Sequence, residues 1–368
     1  MSQTIYSEAG AIAQLPGILS RLGAEKLLLV CGRSYDRLNI NYYVNLCGIP
    51  VVRFSGFAPN PLYEDVCAGL ELFRREGCDA ILAVGGGSAI DVAKCIKLFS
   101  GMDSERIYLD QERQDTGIPL IAVPTTAGTG SESTRHAVIY YQGKKQSISH
   151  ESIVPDCAVL CPELLADLPP YQKKSTMLDA LCQGIESWWS VNSTAESMNF
   201  ARAAVEKILT NYRAYLAGDA AAAKEIMLGA NLAGQAINIS ATTAPHAMSY
   251  KLSSMYHIPH GPAVALCLPL VWEYMLSNAG KCIDLRGKEH LCKIFEELSA
   301  LFGCAVQDCP RRFRDLLHEL DMCVPQPRER EKEIEILAAA VNPERLKNNP
   351  VALSGEVLRS MYERIIKE

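Results

Sequence analysis

Apolar and polar positions divide the chain into two unlike halves. In the first, short apolar runs alternate with longer helix-periodic windows. Lys26 to Cys31 is one such run and ends at Gly32, and Val51 to Phe54 is another, ending at Ser55-Gly56. Asp79 to Val84 leads into Gly85-Gly86-Gly87, and Pro119 to Val123 leads into Pro124-Thr125-Thr126. Tyr63 to Arg75 and Ser88 to Phe99 carry helical patterns between them. Apolar strands joined by helical crossovers predict a parallel sheet covered on both faces.

From about Leu164 the strand signal fades. Helical windows follow at Gln172 to Ser190, Ala195 to Leu216, Ala222 to Ile239, Pro262 to Ser277 and Lys288 to Phe302. Glycines and prolines punctuate them, and Ala217 to Ala223 reads as a helix junction. The change of pattern falls at Leu168-Pro169-Pro170. A chain of 368 residues also exceeds the ~100–200 of one typical domain. The prediction is an α/β domain over residues 1–168 and an all-α domain over residues 169–368.

Composition narrows the range of partners. The formal net charge is −6 and no long basic run occurs, which argues against nucleic acid and anionic membrane surfaces. No run approaches the ~20 apolar residues that span a bilayer, and the start MSQTIYSEAG has neither a basic stretch nor an apolar signal core. The fourteen cysteines are scattered, without a CxxC pair. They read as small buried hydrophobes with free thiols, and a cytoplasmic location is expected.

Two loops carry candidate nucleotide chemistry. Val84 to Asp91 (VGGGSAID) follows a strand and opens a helix. Its glycines permit close backbone approach, helix-start amides suit a phosphate, and Ser88 reads as the N-cap. The spacing is neither GxGxxG nor a P-loop. Pro124 to Glu132 (PTTAGTGSE) follows the next strand and is rich in glycine and hydroxyls. Two such loops at the carboxyl ends of parallel strands predict a dinucleotide site in the first domain.

A second constellation suits a metal. Asp179 and Gln183 lie one helical turn apart, among Met177, Leu181 and Ile185. A carboxylate in apolar surroundings needs compensation, which a cation supplies. His246 follows Pro245 near a helix start, and His260 lies in Pro259-His260-Gly261-Pro262 just before another. A helix N-terminus disfavours imidazolium, so neutral rings are expected. An Asp/His/His set leaves coordination open for substrate, and both zinc and ferrous iron accept it.

On these motifs the chain resembles the iron-containing alcohol dehydrogenase family. The stretches are GGGSAIDVAK (Gly85 to Lys94), PTTAGTGSE, DALCQGIES from Asp179, and the settings of His246 and His260. The resemblance implies the dehydroquinate synthase-like architecture of that family, with a Rossmann-like dinucleotide-binding domain before an all-helical metal-binding and substrate domain. It implies an oxidoreductase using NADPH or NADH and one divalent metal on a small alcohol/aldehyde pair, and a homodimer. Asp179, Gln183, His246 and His260 would be the metal positions. Gly32, Asn60, Gly86, Gly87, Ser88, Asp91, Thr125, Thr126 and Lys145 would line the cofactor site.

Two positions depart from the family pattern. A family histidine ligand is Gln183 here, which weakens the case for iron and favours zinc. A second family histidine, often drawn into proton relay, is Tyr250 here, which becomes the candidate proton donor through water, beside His260 as the other catalytic residue. DALCQ with IESWWSVNST (Ile185 to Thr194), SESTR (Ser131 to Arg135) and KKQS (Lys144 to Ser147) resembles the phosphonoacetaldehyde reductase subgroup, which carries glutamine at that ligand position. A phosphonate requires cationic donors. Arg135 and Lys251 are the candidates put forward, with Lys144, His150 and Lys174 also available.

At the end of the first apolar run, where the family often has an acidic residue, stands Gly32, followed by Arg33 and Ser34. Without that carboxylate NADPH is expected to be accepted. Another short-chain aldehyde or semialdehyde is the nearest alternative substrate. An NAD- and zinc-dependent lyase of the dehydroquinate synthase kind is the alternative from another class, and a metal-free nucleotide-binding protein a third.

Overall fold

The computed structural model describes residues 3–322 and 324–366; Cys323 of the cysteine series lies outside the described residues. The chain splits into two compact units, Met1–Leu168 and Pro169–Glu368.

The first unit contains strands β1 (Thr4–Tyr6), β2 (Leu27–Cys31), β3 (Val51–Phe54), β4 (Ala80–Gly85), β5 (Leu120–Pro124), β6 (His136–Tyr141), β7 (Lys144–Ser149) and β8 (Cys157–Val159). Helices α1 (Leu15–Arg21), α2 (Ile40–Asn45), α3 (Tyr63–Glu76) and α4 (Gly87–Phe99) connect them. Six strands form one sheet in the order β1-β8-β5-β4-β2-β3, and every pairing in it is parallel. All residues of β2, β4 and β5 are buried, as the apolar runs predict for central strands. Side chains alternate between faces. Leu28, Val30, Ile81 and Ala83 pack on one face with Val66 and Leu70 of α3 and Ile90 and Ile96 of α4. Leu27, Leu29, Ala80 and Leu82 pack on the other with Ile18 of α1 and Val44 of α2.

The hydrophobic pattern did not yield β1, β8 or the antiparallel hairpin β6–β7. β1 and β8 have three residues each, too short for periodicity to register. The hairpin turns at Gln142 and Gly143, with φ of 49° and 73°. Two positive φ values at the centre of a two-residue loop match the twist of the flanking strands, so Gln142-Gly143 is the local mark of this hairpin.

The second unit contains α5 (Pro170–Trp189), α6 (Ala195–Leu216), α7 (Ala220–Ser240), α8 (Ala244–Tyr256), α9 (His260–Ser277), α10 (Gly287–Phe302), α11 (Cys309–Glu319), α12 (Arg330–Ala339), α13 (Pro343–Leu346) and α14 (Gly355–Ile365). From Met177 to Trp189 every residue of α5 is buried, so this helix is the centre of the unit. Asp219 ends the Ala217 to Ala223 junction by capping α7, its side chain accepting from the Ala222 amide. Among the described residues, no helix is long and apolar enough to cross a membrane.

Candidate active site

In the first unit the two glycine-rich loops stand side by side. A Cβ on Gly87 would lie 2.9 Å from Thr129 Cγ2, and one on Gly86 would lie 3.3 Å from Thr126 Oγ1. The glycines therefore serve first to let the two loops approach each other. Helix α4 starts at Gly87 with Gly86 as its N-cap, and no side chain bonds at that cap. This corrects the reading of Ser88 as the cap: the chain turns one glycine earlier, which puts Ser88 in the first helical turn.

The other cofactor candidates are spread around this edge. Gly32 precedes a short 3-10 helix after β2, and Asn60 is held at φ 59° just before Pro61. Thr125 donates its amide to the Gly85 carbonyl at 3.0 Å, joining β5's loop to β4's. Asp91 is a strut: its Oδ1 accepts from Ser131 Oγ at 2.6 Å and its Oδ2 from the Val138 amide at 3.0 Å. Burial pushes its carboxyl up, with Lys94 opposing. Lys94 is fully buried and donates to the carbonyls of Thr134 and His136 at 2.7 and 2.8 Å. Lys145 lies on β7.

The metal candidates meet in the second unit. Ligand atoms of Asp179, His246 and His260 all lie within 4.8 Å of one another. His246 Nε2 is 3.4 Å and His260 Nε2 3.9 Å from Asp179 Oδ1. Gln183 follows one turn along α5 and is 4 % exposed. The approach of α9 to α5 depends on Gly261, where a Cβ would stand 2.0 Å from the Ser175 carbonyl oxygen. Only a residue without Cβ lets the start of α9 reach Asp179. His260 is the first residue of α9 rather than the residue before it.

Glu186, which the sequence reading passed over, organises this cluster. It is wholly buried on α5, one turn beyond Gln183. Its Oε2 accepts from the Thr243 amide at 2.8 Å and Thr243 Oγ1 at 3.0 Å, closing the N-terminus of α8. Its Oε1 lies 2.5 Å from His246 Nδ1. A proton on Nδ1, donated to that carboxylate, leaves the Nε2 lone pair facing Asp179 and His260. His246 Nε2 is buried and takes no hydrogen bond. A buried nitrogen so placed among a carboxylate and a second imidazole fits a divalent cation.

The expectation of a neutral His246 is corrected in one respect. Burial would lower its pKa, but the carboxylates of Glu186 and Asp179 outweigh burial, pushing it up to about 9. A proton and a cation thus compete for Nε2.

Tyr250 stands beside the cluster. Its ring is parallel to that of His260 within 5°, with centroids 5.5 Å apart. Arg345 Nη1 donates to Tyr250 Oη at 2.9 Å, and its guanidinium carbon lies 5.2 Å from that ring's centroid. The sequence offered no signal for Arg345, because it is close to Tyr250 only in the folded chain. Of the cations put forward for a substrate anion, Arg135 is in the first unit and pairs with Glu151, while Lys251 is exposed on α8. Lys174 donates to the Leu320 carbonyl at 3.0 Å.

A parallel α/β unit and a helical unit centred on an Asp/His/His cluster define the class of architecture. The family model described as iron-containing alcohol dehydrogenase matches residues 2–162, and the one described as Fe-containing alcohol dehydrogenase family, C-terminal, matches residues 173–366. The chain belongs to the iron-containing alcohol dehydrogenase family. It is 38% identical over 220 residues to the probable alcohol dehydrogenase EutG of Escherichia coli (strain K12), covering 58% of this chain and 56% of that one. It is 34% identical over 256 residues to the phosphonoacetaldehyde reductase of Streptomyces viridochromogenes, covering 65% and 64%. The matched stretches therefore span less than two thirds of these two relatives. The crystal structure of sulfoacetaldehyde reductase from Bifidobacterium kashiwanohense in complex with NAD+ aligns with TM-score 0.87 at 26% identity, covering 99% of this chain and 96% of that one.

Proposed function

We propose that this protein reduces a small aldehyde to a primary alcohol with NADPH or NADH and one divalent metal, and that the aldehyde is phosphonoacetaldehyde, giving 2-hydroxyethylphosphonate. The observation that carries the reading is the convergence of Asp179, His246 and His260, with His246 Nε2 turned inward. Likeness to the Streptomyces reductase supports the particular substrate. A free thiol at each described cysteine supports a reducing cytoplasm. We place a homodimer there on family grounds.

Asp179, His246 and His260 would hold the metal, zinc or ferrous iron, with Gln183 as a weaker neighbouring oxygen. The metal, when bound, supplies a Lewis acid for the carbonyl oxygen. The nicotinamide supplies the hydride, so aldehyde, NAD(P)H and one proton become alcohol and NAD(P)+. Glu186 keeps the His246 tautomer that presents Nε2. Tyr250 would be the proton source through water: Arg345 donates to its oxygen, which leaves the phenol proton out of that bond. The two glycine-rich loops, with Gly32, Asn60, Asp91 and Lys145 around them, would hold the dinucleotide. Exposed Arg33 after β2, with no acidic residue beside Gly32, suits a 2′-phosphate.

The test is an NAD(P)H oxidation assay over phosphonoacetaldehyde, succinic semialdehyde and propanal, with each cofactor and with added zinc or ferrous iron. We expect phosphonoacetaldehyde to be favoured and NADPH to be accepted. His260→Ala should abolish reduction while circular dichroism stays unchanged. Full activity in that variant would refute metal catalysis at this cluster, and no net NAD(P)H consumption would favour a lyase.

A further inference from the structure

We propose that Arg345 binds the anionic head of the substrate, a tetrahedral oxyanion on the carbon next to the aldehyde. The inference rests on the reading of the Asp179–His246–His260 cluster as the aldehyde-reducing centre. Arg345 is held near it by a chain of contacts within the second unit. Its guanidinium donates to Tyr250 Oη at 2.9 Å, and the Tyr250 ring lies flat against His260. Tyr250 is therefore a common neighbour of this cation and of a candidate metal ligand.

The segment carrying Arg345 is built rather than loose. Asn342 caps α13, its side chain accepting from the Glu344 amide at 2.9 Å. Asn348 donates to the Thr242 carbonyl at 3.0 Å and accepts from Asn192 Nδ2 at 2.9 Å. The Val191 amide donates to the Asn348 carbonyl at 3.1 Å. Those partners lie just beyond α5 and just before α8, the two helices that Glu186 joins. The same framework that sets His246 thus sets Arg345.

The chemistry of the group selects the ligand. A guanidinium is a planar fork of donors that stays charged and matches two oxygens of a phosphonate or sulfonate. Lys251 cannot share that direction, because it follows Tyr250 by about 100° around α8. A purely local role, pinning the Tyr250 hydroxyl, predicts equal effects on all aldehydes. An anion anchor predicts effects that depend on the head group.

The experiment compares wild type, Arg345→Ala and Arg345→Lys on phosphonoacetaldehyde, sulfoacetaldehyde and propanal, taking kcat and KM separately. The ratio of kcat/KM for anionic over neutral aldehyde should fall about a hundredfold in Arg345→Ala, mostly through KM, and about tenfold in Arg345→Lys, which keeps charge but not the fork. The two anionic substrates distinguish a phosphonate site from a sulfonate site. An unchanged ratio, with every aldehyde slowed alike, would assign Arg345 to pinning Tyr250 and overturn the proposal. Wild type that prefers propanal would overturn it while leaving the reductase reading intact, whereas wild type that reduces no aldehyde would remove both. Should the variants not fold, methylphosphonate and methanesulfonate are tested as competitive inhibitors of wild-type aldehyde reduction. Inhibition at millimolar concentration supports the anchor, and its absence refutes it.

Discussion

Glu186 shows how much one buried carboxylate can settle. One oxygen closes the start of α8 and the other lies against His246 Nδ1, so secondary structure and the His246 tautomer depend on the same group. Glu186→Gln keeps the shape but brings an amide donor where two acceptors are used. Either amide orientation sets N–H against N–H, at Thr243 or at His246. We predict that metal affinity falls by about 10–100-fold, the range for loss of a partner behind a ligand, with helix-cap loss adding about 1 kcal/mol of destabilisation. Competition against a chromogenic chelator measures the first quantity; affinity within twofold of wild type would remove Glu186 from this role. Its residue type and spacing after Asp179 were visible beforehand, but a buried Glu among apolar residues gives no sign of which donors it meets.

At the scale of elements, the site depends on two helices touching without a side chain between them. Gly261 sits where a Cβ would be 2.0 Å from the Ser175 carbonyl and 3.0 Å from the Asp179 amide. Backbone cannot yield as a flexible side chain would. Gly261→Ala should move α9 away from α5, costing about 1–3 kcal/mol as overpacking does and separating His260 from Asp179. Urea unfolding and metal titration check both, and wild-type values in each would show that the contact tolerates a methyl group. In the second unit α5, α6, α7, α9 and α10 were legible to within about two residues, whereas α8 was marked only at its start by Pro245 and α11 to α14 were not read as helical windows. The hairpin β6–β7 was missed because its alternation is mixed with lysine, glutamine and serine, and only its turn marks it.

At the scale of the molecule, each unit has its own core, and the three tryptophans Trp188, Trp189 and Trp272 are all buried in the second. Tryptophan fluorescence therefore reports the unit that carries the metal candidates. A ligand that binds only the folded state stabilises it by about 2.7 kcal/mol at a hundredfold excess over its Kd. For a unit of this size that corresponds to roughly 5–10 °C. Chelation should lower the fluorescence-detected midpoint by that amount, and restored zinc or ferrous iron should return it. A midpoint indifferent to chelator and metal would argue that the cluster holds no cation.

The sequence by itself determined the parallel α/β half, the helical half, the two glycine-rich loops and the residues Asp179, His246 and His260. Periodicity, turn chemistry and motif spacing are local properties, and they survive without knowledge of the fold. Tertiary structure alone decided that the glycines first serve the packing of loop against loop, and that Glu186 meets His246 Nδ1 and so sets its tautomer. It also decided that Arg345, 95 residues beyond Tyr250 in the chain, meets its hydroxyl. Those outcomes depend on which distant groups become neighbours, and on burial strengthening the charges between them, neither of which is written in any single stretch of the chain.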